Sequence, residues 1–550
     1  MTAVLRAFGP DFPFDFHEWV THPAGTGVIP ADAHGTAVAV VGGGIAGLVA
    51  AHELVRLGLR PVVYEIGRLG GRLRSERFGG GIGAVAELGG MRFPRSGATF
   101  FHYADRCGLA TRPFPNPLTP AAPTTLIDLA GQSHFARTLD DLPPLFREVA
   151  TAWDDAVRRH ASLLEIQDAM RRRDHVAVAD IWHPIVTRWD DRTFYDFVAT
   201  SEAFRSLSYR HREVFGQVGF GTGGWDADFP NSMLEILRVV MCDFEEDQHL
   251  IVGGAEQVPR RLWELPVEHP AHWPAATSVA DLHPGRATRP GVRAIRRDGD
   301  RVEVVDRWGD AESFDAVLVT CQSWLLTTNI DVEESLLSQD VWMALDRTKY
   351  TQSSKTFVMV DRPFWNDIDP TTGRPLMSMT LTDRNTRGTY LFDNGPDEPA
   401  VICLTYAWMG DAMKVLPKSA EQRAALAIGT LERIYPNAGL RDHIVGDPIT
   451  ISWEADPNFL GAFKGALPGH YRYNHRMYRH FLQDELPAAE RGLFLAGDDV
   501  SWTPGWAEGA VQTALNAVWG IARRFEGRSH DDNPGPGDVW DERAPLALPD

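Results

Sequence analysis

One stretch, from Ala37 to Gly71, constrains the fold of this chain more than any other part of it. It opens with a short apolar run bounded by glycine, which is typical of a buried parallel strand. Glycines at GxGxxG spacing follow, and the apolar side chains after them recur at helical intervals until Gly58. A second apolar run then ends in the acid Glu65. Strand, glycine turn, helix, strand and acid in this order predict a Rossmann-type unit that binds a dinucleotide.

The three glycines of the turn have different predicted roles. Gly42 permits the tight turn, Gly44 lets the backbone approach a diphosphate, and Gly47 lets the helix pack against the strand. The helix amino terminus offers unpaired N–H groups to the phosphates, and the Glu65 carboxylate suits ribose hydroxyls. In a chain with 50 glycines the spacing alone is a weak signal, but the ordered elements around it disfavour a turn without a ligand.

Composition and charge restrict the class of partner. The chain has 550 residues, which suits more than one domain, and its formal net charge of −20 argues against nucleic acid and anionic membranes as partners. Its four cysteines are far apart and support neither a disulfide framework nor a zinc site. The amino terminus lacks a basic and then apolar leader, and no apolar run approaches the length of a membrane span. We therefore expect a cytoplasmic protein without a metal site.

The rest of the chain alternates between helical and strand-like segments. Residues 138–215 carry an apolar stripe at helical spacing and predict a helical region. Residues 275–320 indicate strands and turns that return to the dinucleotide domain, and strand-like runs between 345 and 465 predict a sheet in a second domain. A late apolar run at 493–495, followed by Gly497 and Asp498, predicts another strand that ends in glycine and an acid.

Two basic residues have ambiguous settings in the sequence. Arg92 lies in the glycine-rich loop 88–94, just before a proline, and spacing alone favours a solvated surface charge. Lys355 stands in a strand-like run, where a solvated lysine is the simpler interpretation. Neither residue would be chosen as functional from its spacing.

Several motifs taken together resemble those of the flavin amine and L-amino acid oxidoreductases. They are GGGIAG at 42–47, Glu65, GGR at 70–72, LGGMRFP at 88–94, and AGD with GWAEGA between 496 and 510. Longer stretches, among them DDRTFYDFVATS, HREVFGQVGFGTGGWDADFPNSMLEI and SWEADPNFLGAFKGALPGHYRYN, extend the resemblance to the amino acid 2-monooxygenases and are closest to the lysine 2-monooxygenases. Such stretches run from residue 8 to beyond 530, so the resemblance covers nearly the whole chain.

The resemblance implies FAD as the cofactor and an α/β fold. The implied architecture is a discontinuous Rossmann-type FAD-binding domain with an interleaved α+β substrate-binding domain and a helical subdomain. The implied segments are an amino-terminal arm (1–35), three FAD-binding parts (36–105, 245–325 and 490–527), a helical and substrate region (106–244), a substrate-binding domain (326–489) and a carboxy-terminal tail (528–550). A wrapping arm and tail favour a homodimer.

The functional positions of the family carry over onto matching residues. The FAD-binding positions match Gly42, Gly44, Ala46, Gly47, Glu65, Gly70, Gly71, Arg72, Gly90, Met91, Arg92, Val292, Gly497, Asp498, Trp506 and Ala507. Within this set the resemblance implies that Arg72 lies along the diphosphate, that Asp498 binds the ribityl chain, and that Val292 meets the adenine.

Three residues have implied catalytic roles: Lys355, Arg92 and Trp506. Lys355 resembles a lysine that holds a water near the flavin. Arg92 resembles the arginine that binds the substrate α-carboxylate, and a guanidinium suits that group because it offers a planar two-donor fork. Gly505 and Trp506 resemble the backbone and aromatic wall beside the substrate amine.

The implied reaction is the FAD-dependent oxidative decarboxylation of a basic L-amino acid, lysine first. Trp408 and Phe463 are candidate walls around the aliphatic stem, although as aromatics in strand-like runs they fit a core equally well. The far cation of such a substrate needs a carboxylate, because an unpaired buried charge is costly. The candidates are Asp226, Asp228, Glu235, Asp243, Glu245 and Glu246. We predict Asp228, although a solvated loop aspartate is an equally common outcome.

One departure from the family leaves two questions open. Residues 242–246 read CDFEE, a bulkier and more acidic run than the lysine enzymes have. Arginine therefore stays an alternative substrate, and an L-amino acid oxidase stays an alternative activity. Peroxide that stays with the imino acid gives an amide and CO2, whereas separation gives a keto acid and ammonia, and no motif encodes the choice.

Overall fold

A five-stranded parallel sheet forms the centre of the dinucleotide-binding part. The computed structural model describes residues 5–6, 9–79, 84–218 and 229–549. The strands lie in the order Arg289–Pro290, Arg60–Glu65, Ala37–Val41, Val317–Val319 and Leu493–Leu495. Every neighbouring pair is parallel, and the central strands are almost entirely buried. Because the strands come from distant parts of the chain, the predicted α/β class with a discontinuous Rossmann-type domain is confirmed.

The turn after the first strand requires its glycines. Gly42 has a φ of +116°, a conformation that favours glycine. A Cβ on Gly47 would lie 2.0 Å from the Gly42 carbonyl oxygen, so the helix Ile45–Arg56 starts this close to the strand only with glycine there. The helix Ala507–Arg524 packs beside it and is buried along most of its length.

A separate mixed sheet follows the edge strand Arg289–Pro290, and only its last strand pairs parallel with its neighbour. Its strands are Ala311–Phe314, Arg301–Asp306, Val292–Asp298 and Asp331–Val332. The turn predicted at residues 298–300 joins two of them, with Asp298 paired to Arg301. The prediction that the stretch 275–320 returns to the parallel sheet is therefore only partly correct. Arg289–Pro290 and Val317–Val319 join that sheet, whereas the strands between them pair with each other.

The second large sheet has seven strands and carries the predicted strand-like runs between 345 and 465. Its order is Ile444–Ser452, Ser353–Val360, Ala400–Trp408, Gly388–Phe392, Met379–Thr382, Thr125–Leu129 and Gln132–Ala136. The last two strands come from a part of the chain that the sequence did not connect with this sheet. Smaller pairings join Phe93–Pro94, Gln248–Ile251 and Thr111–Pro113, then Ser75–Arg77 with Val85–Glu87, and Tyr350–Thr351 with Phe463–Lys464.

Helices between residues 144 and 218 occupy most of the region 138–215 that was predicted to be helical, and more occur elsewhere. The helical region consists of Pro144–Ala161, Leu163–Arg172, His175–Trp189, Phe194–Thr200, Glu202–Arg205, Tyr209–Val218 and Met233–Met241. The other helices are Phe16–Thr21, Ala98–Arg106, Gln257–Glu264, Leu325–Thr328, Gln339–Arg347, Met409–Val415, Ala420–Ile434, Leu440–His443, Tyr471–Tyr478 and Trp540–Arg543. Within the described part of the chain, none is long and apolar enough to cross a bilayer.

The amino-terminal arm packs against the body and the carboxy-terminal tail. The rings of Phe12 and Trp540 are 5.3 Å apart, and both are buried. Asn533 of the tail donates hydrogen bonds to the Trp19 and Gly25 carbonyl oxygens, at 3.0 and 2.8 Å. The described arm is thus a packed part of the fold, while the seven segment boundaries given above stay predictions.

Candidate active site

The first of two cavities that meet in this molecule has a volume of about 370 Å³ and follows the carboxyl ends of the parallel strands. Fourteen of the predicted FAD-binding residues line it: Gly42, Gly44, Ala46, Glu65, Gly70, Gly71, Arg72, Gly90, Arg92, Val292, Gly497, Asp498, Trp506 and Ala507. The other two do not, since Gly47 serves the packing of helix on strand and Met91 faces the second cavity. We call the 370 Å³ space the cofactor cavity.

The glycine turn leaves room for a diphosphate in the cofactor cavity. A Cβ on Gly44 would find its nearest neighbours only at 4.0 Å, so it would project into open space that a phosphate needs. Glu65 accepts hydrogen bonds from the backbone N–H groups of Gly43 and Gly67, at 2.7 and 2.8 Å. Each carboxylate oxygen still has accepting capacity for ribose hydroxyls. The residues present therefore fit a bound dinucleotide.

An ion pair holds the far end of the cofactor cavity together. The Arg72 guanidinium pairs with the Asp498 carboxylate through both of its terminal nitrogens and also donates to the Ala462 carbonyl oxygen at 3.1 Å. Asp498 accepts a further hydrogen bond from the Gly505 N–H at 3.1 Å. This contact fixes Gly505 just before the helix that begins at Ala507.

The second cavity has a volume of about 800 Å³ and meets the first. The two share eight lining residues: Gly89, Gly90, Arg92, Lys355, Tyr406, Phe463, Gly505 and Trp506. We call the 800 Å³ space the substrate cavity and the shared residues the junction. All three predicted catalytic residues therefore lie at the junction. Trp408 lines only the substrate cavity, and Asp226 and Asp228 lie outside the described residues.

Arg92 sits at the junction inside a group of aromatic rings. Its guanidinium carbon lies 5.6 Å from the centre of the Phe114 ring, 5.9 Å from that of Tyr390 and 5.8 Å from that of Tyr406. Among the described residues, no carboxylate forms an ion pair with it. The expectation of a solvated surface charge is therefore wrong, because a half-buried arginine lines both cavities.

Lys355 lies at the junction from the opposite side, on a central strand of the seven-stranded sheet. Its Nζ donates hydrogen bonds to the Glu87 and Gly89 carbonyl oxygens, at 3.1 and 2.5 Å, and lies 4.9 Å from the centre of the Tyr406 ring. Burial lowers its pKa to about 8. The expectation of a solvated lysine is wrong, because the side chain is buried. An ammonium has three N–H groups, so one remains for a ligand in the cavity.

Aromatic side chains form much of the wall of the substrate cavity. The Trp408 and Phe463 rings meet edge to face at 5.3 Å, and the Phe244 ring lies 5.0 Å from that of Trp506. Trp408 is also 6.4 Å from Phe229. The predicted walls thus line a cavity rather than a closed core.

The sequence did not point to Tyr406, Tyr390, Phe114 or Lys464, although all stand in or beside the site. Tyr406 pairs with Lys355 on the neighbouring strand. The alternation of side chains along Ala400–Trp408 could therefore have indicated which of its residues share a face with Tyr406. Lys464 lines the substrate cavity, and its Nζ donates to the Asp499 carbonyl oxygen at 2.6 Å. No local pattern marks Lys464, Tyr390 or Phe114.

A dinucleotide cavity that opens at an arginine and a buried lysine into a second cavity defines a cofactor-dependent oxidoreductase. The sequence pattern of the family described as flavin containing amine oxidoreductase matches residues 45–522, and the chain belongs to that family. Its cofactor is FAD, whose ADP half fits the glycine turn and Glu65.

Relatives of known identity cover nearly the whole chain. The chain is 31% identical to a tryptophan 2-monooxygenase of Pseudomonas savastanoi over 95% of its own length and 96% of that protein. It is 24% identical to an L-amino-acid oxidase of Siganus canaliculatus, with 88% and 85% covered.

Solved structures with the same fold are amine oxidases. Cyclohexylamine oxidase from Brevibacterium oxydans superposes with a TM-score of 0.66 at 18% identity, covering 90% of this chain and 100% of that one. Putrescine oxidase bound to putrescine gives 0.64 at 17% identity, with 88% and 98% covered.

Proposed function

We propose that the protein is an FAD-dependent amino acid 2-monooxygenase that acts on a basic L-amino acid, with L-lysine as the first candidate. The overall reaction would convert L-lysine and O2 to 5-aminopentanamide, CO2 and H2O. The observation that carries the proposal is Arg92, a guanidinium without a carboxylate partner among the described residues, placed where the cofactor and substrate cavities meet. That arrangement suits an α-carboxylate held beside the reacting end of the cofactor.

The residues of the junction would orient the substrate rather than activate it chemically. FAD, when bound in the cofactor cavity, would supply the redox chemistry, as the acceptor of a hydride from Cα and the donor of two electrons to O2, which with two protons gives H2O2. Arg92 would hold the carboxylate, and Gly505 and Trp506 would border the amine. The amine gives up a proton before the Cα–H bond breaks, because its lone pair forms the C=N bond of the imino acid.

Lys355 would provide the positive charge at the junction. Its third N–H group can hold a water or stabilise negative charge that develops on oxygen. The amide then forms when H2O2 attacks the imino acid, CO2 leaves and water is released. The amide forms only if the imino acid stays beside the peroxide. The aromatic walls Trp408 and Phe463 would slow the escape of the imino acid.

Acidic side chains in the substrate cavity support a basic substrate. Four carboxylates line it: Glu235, Glu245, Glu246 and Asp247. Relatives named tryptophan 2-monooxygenase make tryptophan the main competing substrate, and an apolar indole would offer no cation to the acids of this cavity. Arginine 2-monooxygenase remains the second candidate, because a guanidinium satisfies a carboxylate as well as an ammonium does.

Product analysis tests the proposal. The purified holoenzyme is supplied with L-lysine, L-arginine or L-tryptophan under air, and amide, keto acid, ammonia and peroxide are quantified. The proposal predicts 5-aminopentanamide with CO2 and little free peroxide from lysine. Keto acid with equal ammonia and peroxide would instead identify an L-amino acid oxidase, the second activity that a relative of this chain carries in its name.

A further inference from the structure

Glu87 is a buried acid whose backbone holds the lysine of the junction. It ends the strand Val85–Glu87, and its carbonyl oxygen accepts a hydrogen bond from Lys355 Nζ at 3.1 Å. The second acceptor of that ammonium, the Gly89 carbonyl oxygen, comes two residues later in the chain. The position of Lys355 therefore depends on where Glu87 and the loop after it are fixed.

The Glu87 side chain is itself fixed by two neutral donors. Its carboxylate accepts hydrogen bonds from Ser75 Oγ at 2.7 Å and from the Ala255 N–H at 2.8 Å. Ser75 is also its partner on the neighbouring strand Ser75–Arg77. Within the described part of the chain, no arginine, lysine or histidine forms an ion pair with Glu87. A carboxylate is thus held in the interior without a cation in contact.

Lys355 likewise has no acid in contact, and few titratable groups face it. These groups are Glu87, Arg92, Cys403 and Tyr406. Burial raises the pKa of the Cys403 thiol to about 12 and raises that of the Tyr406 phenol, so both are neutral near pH 8. The charge of Arg92 opposes an ammonium at Lys355. Among the described residues, Glu87 is left as the acid that supports this ammonium.

Glu87 and Lys355 favour each other's charged forms. Burial raises the pKa of Glu87 to about 7, while its hydrogen bonds and the charge of Lys355 oppose this rise. Burial lowers the pKa of Lys355 to about 8, and the charge of Glu87 opposes that fall. At pH 8 Glu87 is therefore ionised and favours the ammonium. Without the Glu87 charge, Lys355 would lose its proton at a lower pH.

We propose that Glu87 is a positioning residue that keeps Lys355 charged and in place at the junction. Its carboxylate supplies the negative charge, and the two neutral donors fix the strand whose carbonyl oxygen receives the ammonium. This inference rests on the function proposed above, through the role of Lys355 in the reaction with oxygen. It does not depend on which amino acid the enzyme uses.

The protonation of Lys355 can be measured directly, because the chain has only five lysines: Lys349, Lys355, Lys414, Lys418 and Lys464. NMR titration of the holoenzyme labelled with 13C at the lysine Cε atoms follows each of them, and Lys355→Met assigns the signal. The midpoint of Lys355 should lie near pH 8 in wild type and about one pH unit lower in Glu87→Gln. Glu87→Asp keeps the charge and should lie between the two.

The wild-type titration is informative without any variant of Glu87. The Lys355 signal should show a second, smaller inflection near pH 7, where Glu87 loses its proton. Glu256→Gln is the matched control, because Glu256 is another buried acid that accepts the Ser75 N–H at 3.1 Å but pairs with Arg68 at 2.9 Å. Its loss should move the Lys355 midpoint by less than about 0.3 pH unit.

The same shift should appear in the reaction of reduced flavin with oxygen. The flavin of the holoenzyme is reduced photochemically with EDTA, without an amino acid, and mixed with O2 between about pH 6 and 10. The rate constant should fall through about pH 8 in wild type and about one unit lower in Glu87→Gln. In Lys355→Met, adding Glu87→Gln should leave the pH profile unchanged, since no ammonium remains to be supported.

Three results would overturn the inference. They are a wild-type Lys355 signal without an inflection near pH 7, an unmoved Lys355 midpoint in Glu87→Gln or, if that variant does not fold, in Glu87→Asp, and an equal shift in Glu256→Gln. A lower oxygen rate at every pH with an unmoved midpoint would likewise leave Glu87 a structural role only. Failure of L-lysine to reduce the flavin would overturn the proposed substrate alone, because neither measurement uses an amino acid.

Discussion

Arg92 depends on its neighbours for any role in binding. Three rings, from Phe114, Tyr390 and Tyr406, surround the guanidinium at 5.6 to 5.9 Å. They shield it from water without neutralising its charge, and a charge-assisted pair is stronger in such surroundings. The sequence around Arg92 shows only an arginine in a glycine-rich loop. The aromatic rings that surround it come from other parts of the chain. Only the resemblance to a family pointed to it.

Substitution of Arg92 tests the carboxylate site. Arg92→Met should lower kcat/KM for the amino acid about 1,000-fold, since it removes two charge-assisted hydrogen bonds that together contribute about 4 kcal/mol. Steady-state kinetics would measure the loss, which should appear mainly in KM. Arg95→Met is the matched control, because Arg95 lies over the Phe101 ring outside both cavities. A kcat/KM within threefold of wild type for Arg92→Met would contradict the assignment.

We expect Lys355 to make the reaction with oxygen depend on pH. Because burial lowers its pKa to about 8, the side chain is charged below pH 8 and neutral above it. A cation at the junction favours negative charge on oxygen, so kcat/KM for O2 should fall as pH rises through about 8.

The Lys355→Met variant separates this effect from other ionisations. Its kcat/KM for O2 should be lower by about 10- to 100-fold at pH 7 and flat across pH 8. The exposed Lys414 offers a control, and Lys414→Met should keep the wild-type profile. A variant profile that still falls at pH 8 would assign the ionisation to another group.

Elements with local signals were predictable from the sequence, and elements defined by distant pairing were not. The unit at 37–65 was predictable because strand, glycines, helix and acid follow one another directly. The hairpin with its turn at Asp298 was also visible, but its sheet was not, since nothing local says which edge a strand pairs with. The strands Thr125–Leu129 and Gln132–Ala136 join a sheet whose other strands come more than 210 residues later, and no periodicity in the sequence indicates such a pairing.

The start of the helix Ala507–Arg524 contains a buried acid with consequences for stability. Glu508 accepts a hydrogen bond from the Phe100 N–H at 2.7 Å and so joins this helix to Ala98–Arg106. Burial raises its pKa to about 7 from an ordinary value of 4.5. The folded protein therefore binds more protons than the unfolded chain between pH 4.5 and 7, and this contribution to stability is lost as pH rises through that window.

Glu508→Gln removes this ionisation. Relative to wild type, the free energy of unfolding of the variant should rise by about 3 kcal/mol between pH 4.5 and 7, because the wild type alone bears the cost of the buried charge. Urea unfolding of both proteins at several pH values measures the difference. A difference independent of pH would show that Glu508 ionises as it does in the unfolded chain.

At the scale of the whole molecule, the amino-terminal arm supports the wall of the substrate cavity from behind. Asp11 of the arm pairs with Arg238, which lines the cavity and lies 5.0 Å from the centre of the Trp502 ring. Asp11 also accepts a hydrogen bond from Trp182 Nε1 at 2.9 Å. One buried carboxylate thus connects the arm, the helical region and the cavity wall.

Loss of that carboxylate should destabilise the protein strongly. Asp11→Asn leaves the Arg238 cation buried without its partner and should cost about 3–5 kcal/mol of unfolding free energy. Adding Arg238→Met should recover part of the loss, since an uncharged pair packs without the desolvation cost. Glu18→Gln removes an exposed acid of the same arm and should cost less than about 1 kcal/mol. Equal losses in Asp11→Asn and Glu18→Gln would contradict the buried-pair account.

The junction itself unites loops and strands from residue 89 to residue 506. We propose that a basic amino acid reaches the flavin at the junction. Anaerobic mixing of the purified holoenzyme with L-lysine, L-norleucine or L-tryptophan, followed by flavin absorbance, tests it directly. We expect L-lysine to bleach the flavin at least tenfold faster than the other two at equal concentration. Bleaching by tryptophan but not by lysine would contradict it.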